Sequence, residues 1–231
     1  CYTTQSGVQP LGAGEDGYLW AAPGVPSFQQ WVRRQILYVA RNYPVDGIHL
    51  DRIRTAGTGS YDPISVARHA GPGNPDKLGF QAWNRDQITR FLNDVYGAIA
   101  EVNRWRPAGK PLIKVSTAPY RGRSQQLSVN QDVEAWCALG AQDFFCPQVY
   151  TTSISAFQTA LDTNFPLTHG RYVVAGLSRN IGGQTMPTLF GQIRTARSMG
   201  ARGSVIFSYS GFQSVDWNQL PLNVFGNRVP T

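Results

Sequence analysis

Apolar positions along this chain alternate between two patterns. Short apolar runs with β-branched and aromatic residues fall at about 47–51, 112–117, 143–150, 171–177 and 203–209. Between them lie longer amphipathic segments at about 28–42, 81–104, 129–139, 153–163 and 186–199, with apolar residues at three- and four-residue spacing. Five strands alternating with helices predict parallel βαβ units. Five units are too few to close an eight-stranded barrel, which takes about 250 residues. Two architectures remain: an open doubly wound sheet, or the later part of a barrel.

The local signals fill in this frame. Residues 1–26 are rich in Gly, Pro and Thr and read as an extended loop, with Tyr18, Leu19 and Trp20 able to pack. Ser27 is the expected N-cap of the first helix, whose stripe is Phe28, Trp31, Val32, Gln35, Ile36, Val39 and Ala40. Residues 52–78 read as one long Gly- and Pro-rich loop, with Asp62-Pro63 as a turn. The second helix presents Trp83, Ile88, Phe91, Leu92, Val95, Ile99 and Val102 to the core, and Pro107 and Pro111 follow its end. Gly200 is placed to terminate the last long helix, and 212–231 reads as loop or short helix.

The stretch Tyr43-Pro-Val-Asp-Gly-Ile-His-Leu-Asp-Arg-Ile-Arg54 carries the sharpest chemistry. It predicts a short buried strand in which Gly47, His49 and Asp51 share one face, while Ile48 and Leu50 point to a covering helix. Asp51 ends that strand, and in α/β folds the C-terminal ends of strands are where reacting side chains collect. The plain alternative is an Asp that caps the next loop or pairs with Arg52 or Arg54.

Composition narrows the class. The 231 residues are 42% hydrophobic and only 15% charged, which excludes a disordered chain. Lys and Arg number 21 against 14 Asp and Glu, a formal charge of +7. The arginines are scattered along the chain and form no long run, so the clustered stripe of a nucleic-acid protein is missing. Such a charge suits an acidic polymer or envelope, or is simply a basic surface. Of three cysteines, Cys137 and Cys146 read as buried small hydrophobes. Cys1 is open to two readings, the lipid-modified first residue of a processed lipoprotein or merely where the chain begins. No apolar stretch approaches membrane-span length.

With these motifs in hand the chain resembles the bacterial glycosyl-hydrolase-like family ten, a (β/α)8-barrel family. Residues 43–54 resemble its fourth-strand signature. Val133-Glu-Ala-Trp136 and Asp143-Phe-Phe-Cys-Pro-Gln-Val-Tyr150 resemble the approach to its sixth strand and that strand itself. Gly203-Ser-Val-Ile-Phe-Ser-Tyr209 resembles its eighth, and Tyr18–Ser27 the lead into strand four. The resemblance implies one (β/α)8 TIM-barrel catalytic domain over 1–231 of which only the C-terminal five βα repeats are present. A missing N-terminal segment or a second chain is then expected to complete the barrel. A more distant likeness to chitinase-type barrels covers Asp46, Gly47 and Asp51. It fails at His49 and Ile53, where those barrels carry acids.

Glycoside hydrolysis uses two carboxylates. Of three Glu and eleven Asp, Asp51 is the one acid at the C-terminal end of a predicted strand. It is the expected catalytic carboxylate, with Asp16, Asp62, Asp216 or a Glu outside this chain as its partner. Gln148 and Tyr150 share a face and can hydrogen-bond sugar hydroxyls. His49 is expected to orient Asp51, and Arg52 and Arg54 to hold it. Ser116, Asn180 and Tyr209 are further substrate-binding candidates, with Tyr120 and Arg121 behind them. Three histidines, His49, His69 and His169, show no paired ligand spacing, so neither metal nor other cofactor is expected. The expected function is an extracytoplasmic glycoside hydrolase acting on a polysaccharide. A bacterial cell-wall glycan is the substrate that the family implies. The alternative is a carbohydrate-binding barrel without turnover.

Overall fold

The computed structural model describes residues 2–8 and 19–225. Cys1, Asp16 and Tyr18, to which the sequence reading gave roles, lie outside them. The chain opens on a two-residue hairpin, β1 (Thr3–Thr4) and β2 (Gly7–Val8), paired antiparallel. Helix α1 (Pro26–Asn42) leads into β3 (Gly47–Asp51), and α2 (Pro63–Ala70) and α3 (Phe80–Arg104) precede β4 (Lys114–Ala118). Next come α4 (Arg123–Ser128), α5 (Val133–Ala138) and β5 (Phe144–Phe145). Helix α6 (Ile154–Asp162), β6 (Tyr172–Ser178), α7 (Met186–Ser198), β7 (Gly203–Phe207) and α8 (Ser214–Leu220) complete the order.

The sheet runs β3-β4-β5-β6-β7 with every pair parallel. Consecutive strands are neighbours throughout. A doubly wound sheet reverses its strand order at a switch point, and none occurs here. The fold is therefore a partial (β/α)8 barrel, five strands with their helices.

The core lies between the sheet and its helices. Leu92, Val95 and Ile99 of α3 meet Val115, Trp136 and Phe145, and further along Phe157, Leu177, Leu189 and Ile193 continue the layer. Each such aliphatic or aromatic side chain, fully buried, contributes about 1.5–3 kcal/mol of transfer free energy. The opposite face is lined by small residues at its centre, Ser116, Ala118, Gly176 and Ser178, all buried. Its flanks are open: Gly47, His49 and Asp51 on β3 are exposed, as are Gly203, Val205 and Phe207 on β7. β3 is thus a half-exposed outer strand, not the buried one expected, because each outermost strand has a single neighbour in the sheet.

Several other expectations need correction. The opening residues form a hairpin outside the five-stranded sheet where only an extended loop was expected, and Tyr2 is buried with its hydroxyl donating to Gly59 O at 2.8 Å. The N-cap of α1 is Val25, with Pro26 as the first helical residue; proline there presets φ and lacks an N–H that would go unpaired anyway, so Ser27 lies inside the helix. The expected stripe of α1 is only partly covered: Ala40 is buried, as is Leu37, which the stripe had left out, but Trp31 is 52% exposed and stacks on Phe28. The 52–78 loop contains α2, because Asp62 caps it by accepting from the amides of Ile64 and Ser65, followed by Pro63 at the first helical position. The helix expected over 129–139 is shorter, α5 from Val133 to Ala138, and a separate short helix, α4, precedes it. Asn130 adopts φ of 65° between them, and Asp132 caps the second. The run 143–150 pairs regularly only at Phe144–Phe145, since Pro147 has no N–H to give the ladder.

Candidate active site

The C-terminal strand ends gather the polar side chains. Asp51 closes β3, and Arg52 then turns the backbone through φ of 53°, a left-handed conformation that a non-glycine residue adopts at a cost of roughly 1–2 kcal/mol. That turn brings the Arg52 amide onto Asp51 Oδ1 at 2.8 Å. Gln148 Nε2 donates to the same oxygen at 3.0 Å. Gln148 reaches it because its backbone bridges both Tyr120, beyond β4, and Gly176 of β6. Among the described residues Oδ2 has no hydrogen-bond partner, so it is available to a ligand on the exposed face. Orientation of Asp51 therefore comes from Gln148 and the Arg52 backbone.

His49, one step down the same face, bonds through Nδ1 to Ser116 Oγ at 2.8 Å, directly across the β3–β4 register. Burial pushes its pKa down and the Asp51 charge pulls it back up. The expectation that His49 orients the acid is replaced by a His49–Ser116 pair below it. Ser116 itself is buried, its hydroxyl turned to the imidazole.

Tyr150 stands beside the acid. Burial first, then the Asp51 charge, raises its pKa to about 12, with Arg54 acting in the opposite direction. It is a neutral hydroxyl at any physiological pH, fit to donate to a sugar oxygen. Its ring stacks on Phe207, centroids 6.0 Å apart. Arg54 is buried, its guanidinium 4.5 Å from the Tyr120 ring centroid and 5.6 Å from that of Trp20. Buried amides tie these loops together: Gln131 accepts from the Tyr120 amide and donates to Ile53 O, while Asn130 donates to Thr55 Oγ1 and Thr58 O. A cleft of about 310 Å³ opens on the helix side of the same strand end, touching Asp51 and walled by Trp20, Phe28, Val32, Ile53 and Phe91.

The remaining candidates are more scattered. Asn180 Oδ1 accepts from the Ser208 amide at 2.7 Å and so secures the turn after β7. Tyr209, on that turn, is 78% exposed and rests against Trp217. Arg121 is exposed and donates to Gln125. Neither Asp62 nor Asp216 supplies a second acid. Asp62 is buried as the cap of α2, and Asp216 is buried against Arg179 at 3.2 Å while capping α8. Phe207 and Trp217 were missed in the sequence. Two-residue alternation from Gly203 could have put Phe207 on the face of the site. Among the described residues no group of three or more His, Cys, Asp or Glu is placed to hold a metal ion, and no helix is long and apolar enough to cross a membrane.

The strand order, with Asp51 at the C-terminal end of β3, defines a protein of the TIM-barrel class of folds. The chain belongs to the glycosyl hydrolase-like 10 family, whose pattern matches residues 2–167. A curated relative, the glycosyl hydrolase YngK of Bacillus subtilis (strain 168), is 21% identical over 152 residues, which cover 57% of this chain and 28% of the relative. Among solved structures, alpha-L-fucosidase isoenzyme 2 from Paenibacillus thiaminolyticus aligns with a TM-score of 0.54 at 18% identity, over 88% of this chain and 30% of that one. Bee venom hyaluronidase, solved with a hyaluronic acid tetramer, aligns with a TM-score of 0.45 at 10% identity, over 91% and 66%. The chain thus spans little more than a quarter of the curated relative.

Proposed function

We propose that this chain is a catalytic domain of a glycoside hydrolase that cleaves O-glycosidic bonds of a polysaccharide, with Asp51 as a catalytic carboxylate. The observation that carries the reading is the exposed Asp51 carboxylate at a strand's C-terminal end, held through one oxygen by Gln148 and the Arg52 amide. A carboxylate so oriented presents its other oxygen to an anomeric carbon or to a water. Tyr150 supplies a neutral donor beside it, and Phe207 and Tyr209 offer ring faces to sugars. The second acid that the chemistry requires comes from outside the described residues. The open flanks of β3 and β7 support a further strand-bearing segment, from the same polypeptide or a second chain, that closes the barrel and brings that acid with it. A bacterial cell-wall glycan outside the cytoplasm is the substrate class we favour, since the family resemblance points there and a basic protein is drawn to an anionic wall.

One observation favours a second reading, carbohydrate binding without turnover: no other acid among the described residues was found at this mouth. Reducing-end release from purified wall glycan, by the wild type and by Asp51→Asn, separates the two. Release by the wild type and its loss in the variant supports the hydrolase. Retention of glycan by both, with no release, supports the binding module, and equal release by both removes Asp51 from the chemistry.

A further inference from the structure

At the end of the sheet opposite Asp51, we propose a second binding site, for a carboxylate-bearing oligosaccharide, in the cleft between the C-termini of α1 and α3. The cleft has a volume of about 560 Å³ and is lined by Arg41, Tyr43, Glu101, Trp105, Arg106 and Lys110. That volume is within the range of small-ligand sites. It adjoins the loop entering β3, whereas Asp51 leaves that strand, about 13 Å further on at a strand's rise per residue.

Trp105 is the platform. It is the residue just beyond α3 and is 81% exposed, yet its indole is tethered: Nε1 donates to Glu101 Oε1 at 3.0 Å. The other oxygen of Glu101 pairs with Arg104 at 2.9 Å. An exposed ring held by its own N–H presents a fixed apolar face, which is what the C–H face of a pyranose stacks on. Tyr43, also exposed and set edge-on to Tyr38, adds a second ring to the rim.

The charges select an acid. Glu101 is engaged by Trp105 and Arg104, and among the described residues Arg41, Arg106 and Lys110 form no ion pair. The carbonyl ends of α1 and α3 open on the same side and carry partial negative charge, which Arg41 in the last turn of α1 offsets. Arg106 and Lys110 lie beyond the helices and are in excess. Among the described residues Arg106 Nε is buried without a hydrogen-bond partner, and Arg106 lines the cleft. These cations gather around one cleft. The choice of a sugar among organic acids rests on the polysaccharide reading above. The binding itself requires no turnover.

The test is calorimetric titration of the intact chain with tri-galacturonate, its methyl ester and a short oligothymidylate. Trp105→Ala, Arg106→Gln and Asp51→Asn are titrated alongside, with circular dichroism confirming that each variant is folded. The expected result is saturable binding of tri-galacturonate, weakened about tenfold or more in the Trp105 and Arg106 variants and by the ester, and unchanged in Asp51→Asn. Absence of binding overturns the site, as does equal binding by Trp105→Ala and Arg106→Gln. Loss in Asp51→Asn would place the sugar at the other end of the sheet. Tighter binding of the oligothymidylate would make the cleft a general polyanion surface. Wall-glycan cleavage is scored separately, so failure of this site and failure of the hydrolase reading are told apart.

Discussion

Gln148 donates from Nε2 to Asp51 Oδ1 at 3.0 Å across 97 positions of sequence, and the bond joins β3 to the segment after β5 over the end of the intervening strand β4. The acid that the strand pattern singled out is thereby held by an amide whose partner no local pattern reveals. Orientation, more than exposure, distinguishes this Asp from one at any loop.

Removing that amide tests its role. Gln148→Ala is expected to lower reducing-end release about tenfold, equivalent to ~1.4 kcal/mol of transition-state stabilisation. The bond is solvent-accessible, so the loss in stability is about 1 kcal/mol or less. Release kinetics beside a thermal melt check this; a large fall in melting temperature with unchanged turnover would make Gln148 a structural tie only.

Acid should destabilise the protein through His49. Burial lowers its folded-state pKa below the ordinary 6.5. Between those two values the unfolded chain binds a proton that the folded chain does not, so stability rises with pH through the window and is lost as pH falls below about 6.5. Melting temperatures of wild type and His49→Gln, compared at about pH 7.5 and pH 5, should show the smaller drop in the variant. An identical drop would mean that other groups govern the acid limb.

Gly176 sits under the site for want of room. A Cβ there would stand 2.4 Å from the Pro147 carbonyl oxygen, a backbone atom that cannot swing aside. Gly176 also exchanges backbone bonds with Pro147 and Val149 on either side of Gln148. Gly176→Ala is expected to cost about 3 kcal/mol and to lower the melting temperature by roughly 5–10 °C. Calorimetry decides, and a shift under a degree would show that the strands can part without penalty.

The two described thiols should be inert. Burial raises Cys146 to about 12 and Cys137 to about 11, so neither supplies thiolate at neutral pH. In a Cys1→Ser background, a thiol-specific chromophoric reagent should titrate nothing until denaturant is added. Prompt reaction of either cysteine in the folded protein would contradict this burial.

Much of the frame was written in local pattern. Alternation over 47–51 put Gly47, His49 and Asp51 on one face, and spacing over α3 named Trp83, Ile88, Leu92, Val95 and Ile99 as core, because strand and helix periodicity are properties of neighbouring residues. The charge, the acid at the end of β3 and the order of five βα units were legible for the same reason. Contacts over long separations were not. That Asp51 meets Gln148, that His49 meets Ser116 and that Asp62 and Asp216 are helix caps and not second acids follows from strand register and loop packing, which bring together residues with no common pattern. Exposure behaved likewise: the apolar stripe of α1 predicted burial of Trp31, yet burial needs a neighbour on that side, and only Leu37 and Ala40 of α1 are fully buried. Sequence by itself therefore determined which side chains each element could offer to the two faces of the sheet. The tertiary structure decided which of them touch, since only closure of the strands into a common register fixes distances between residues so far apart in the chain.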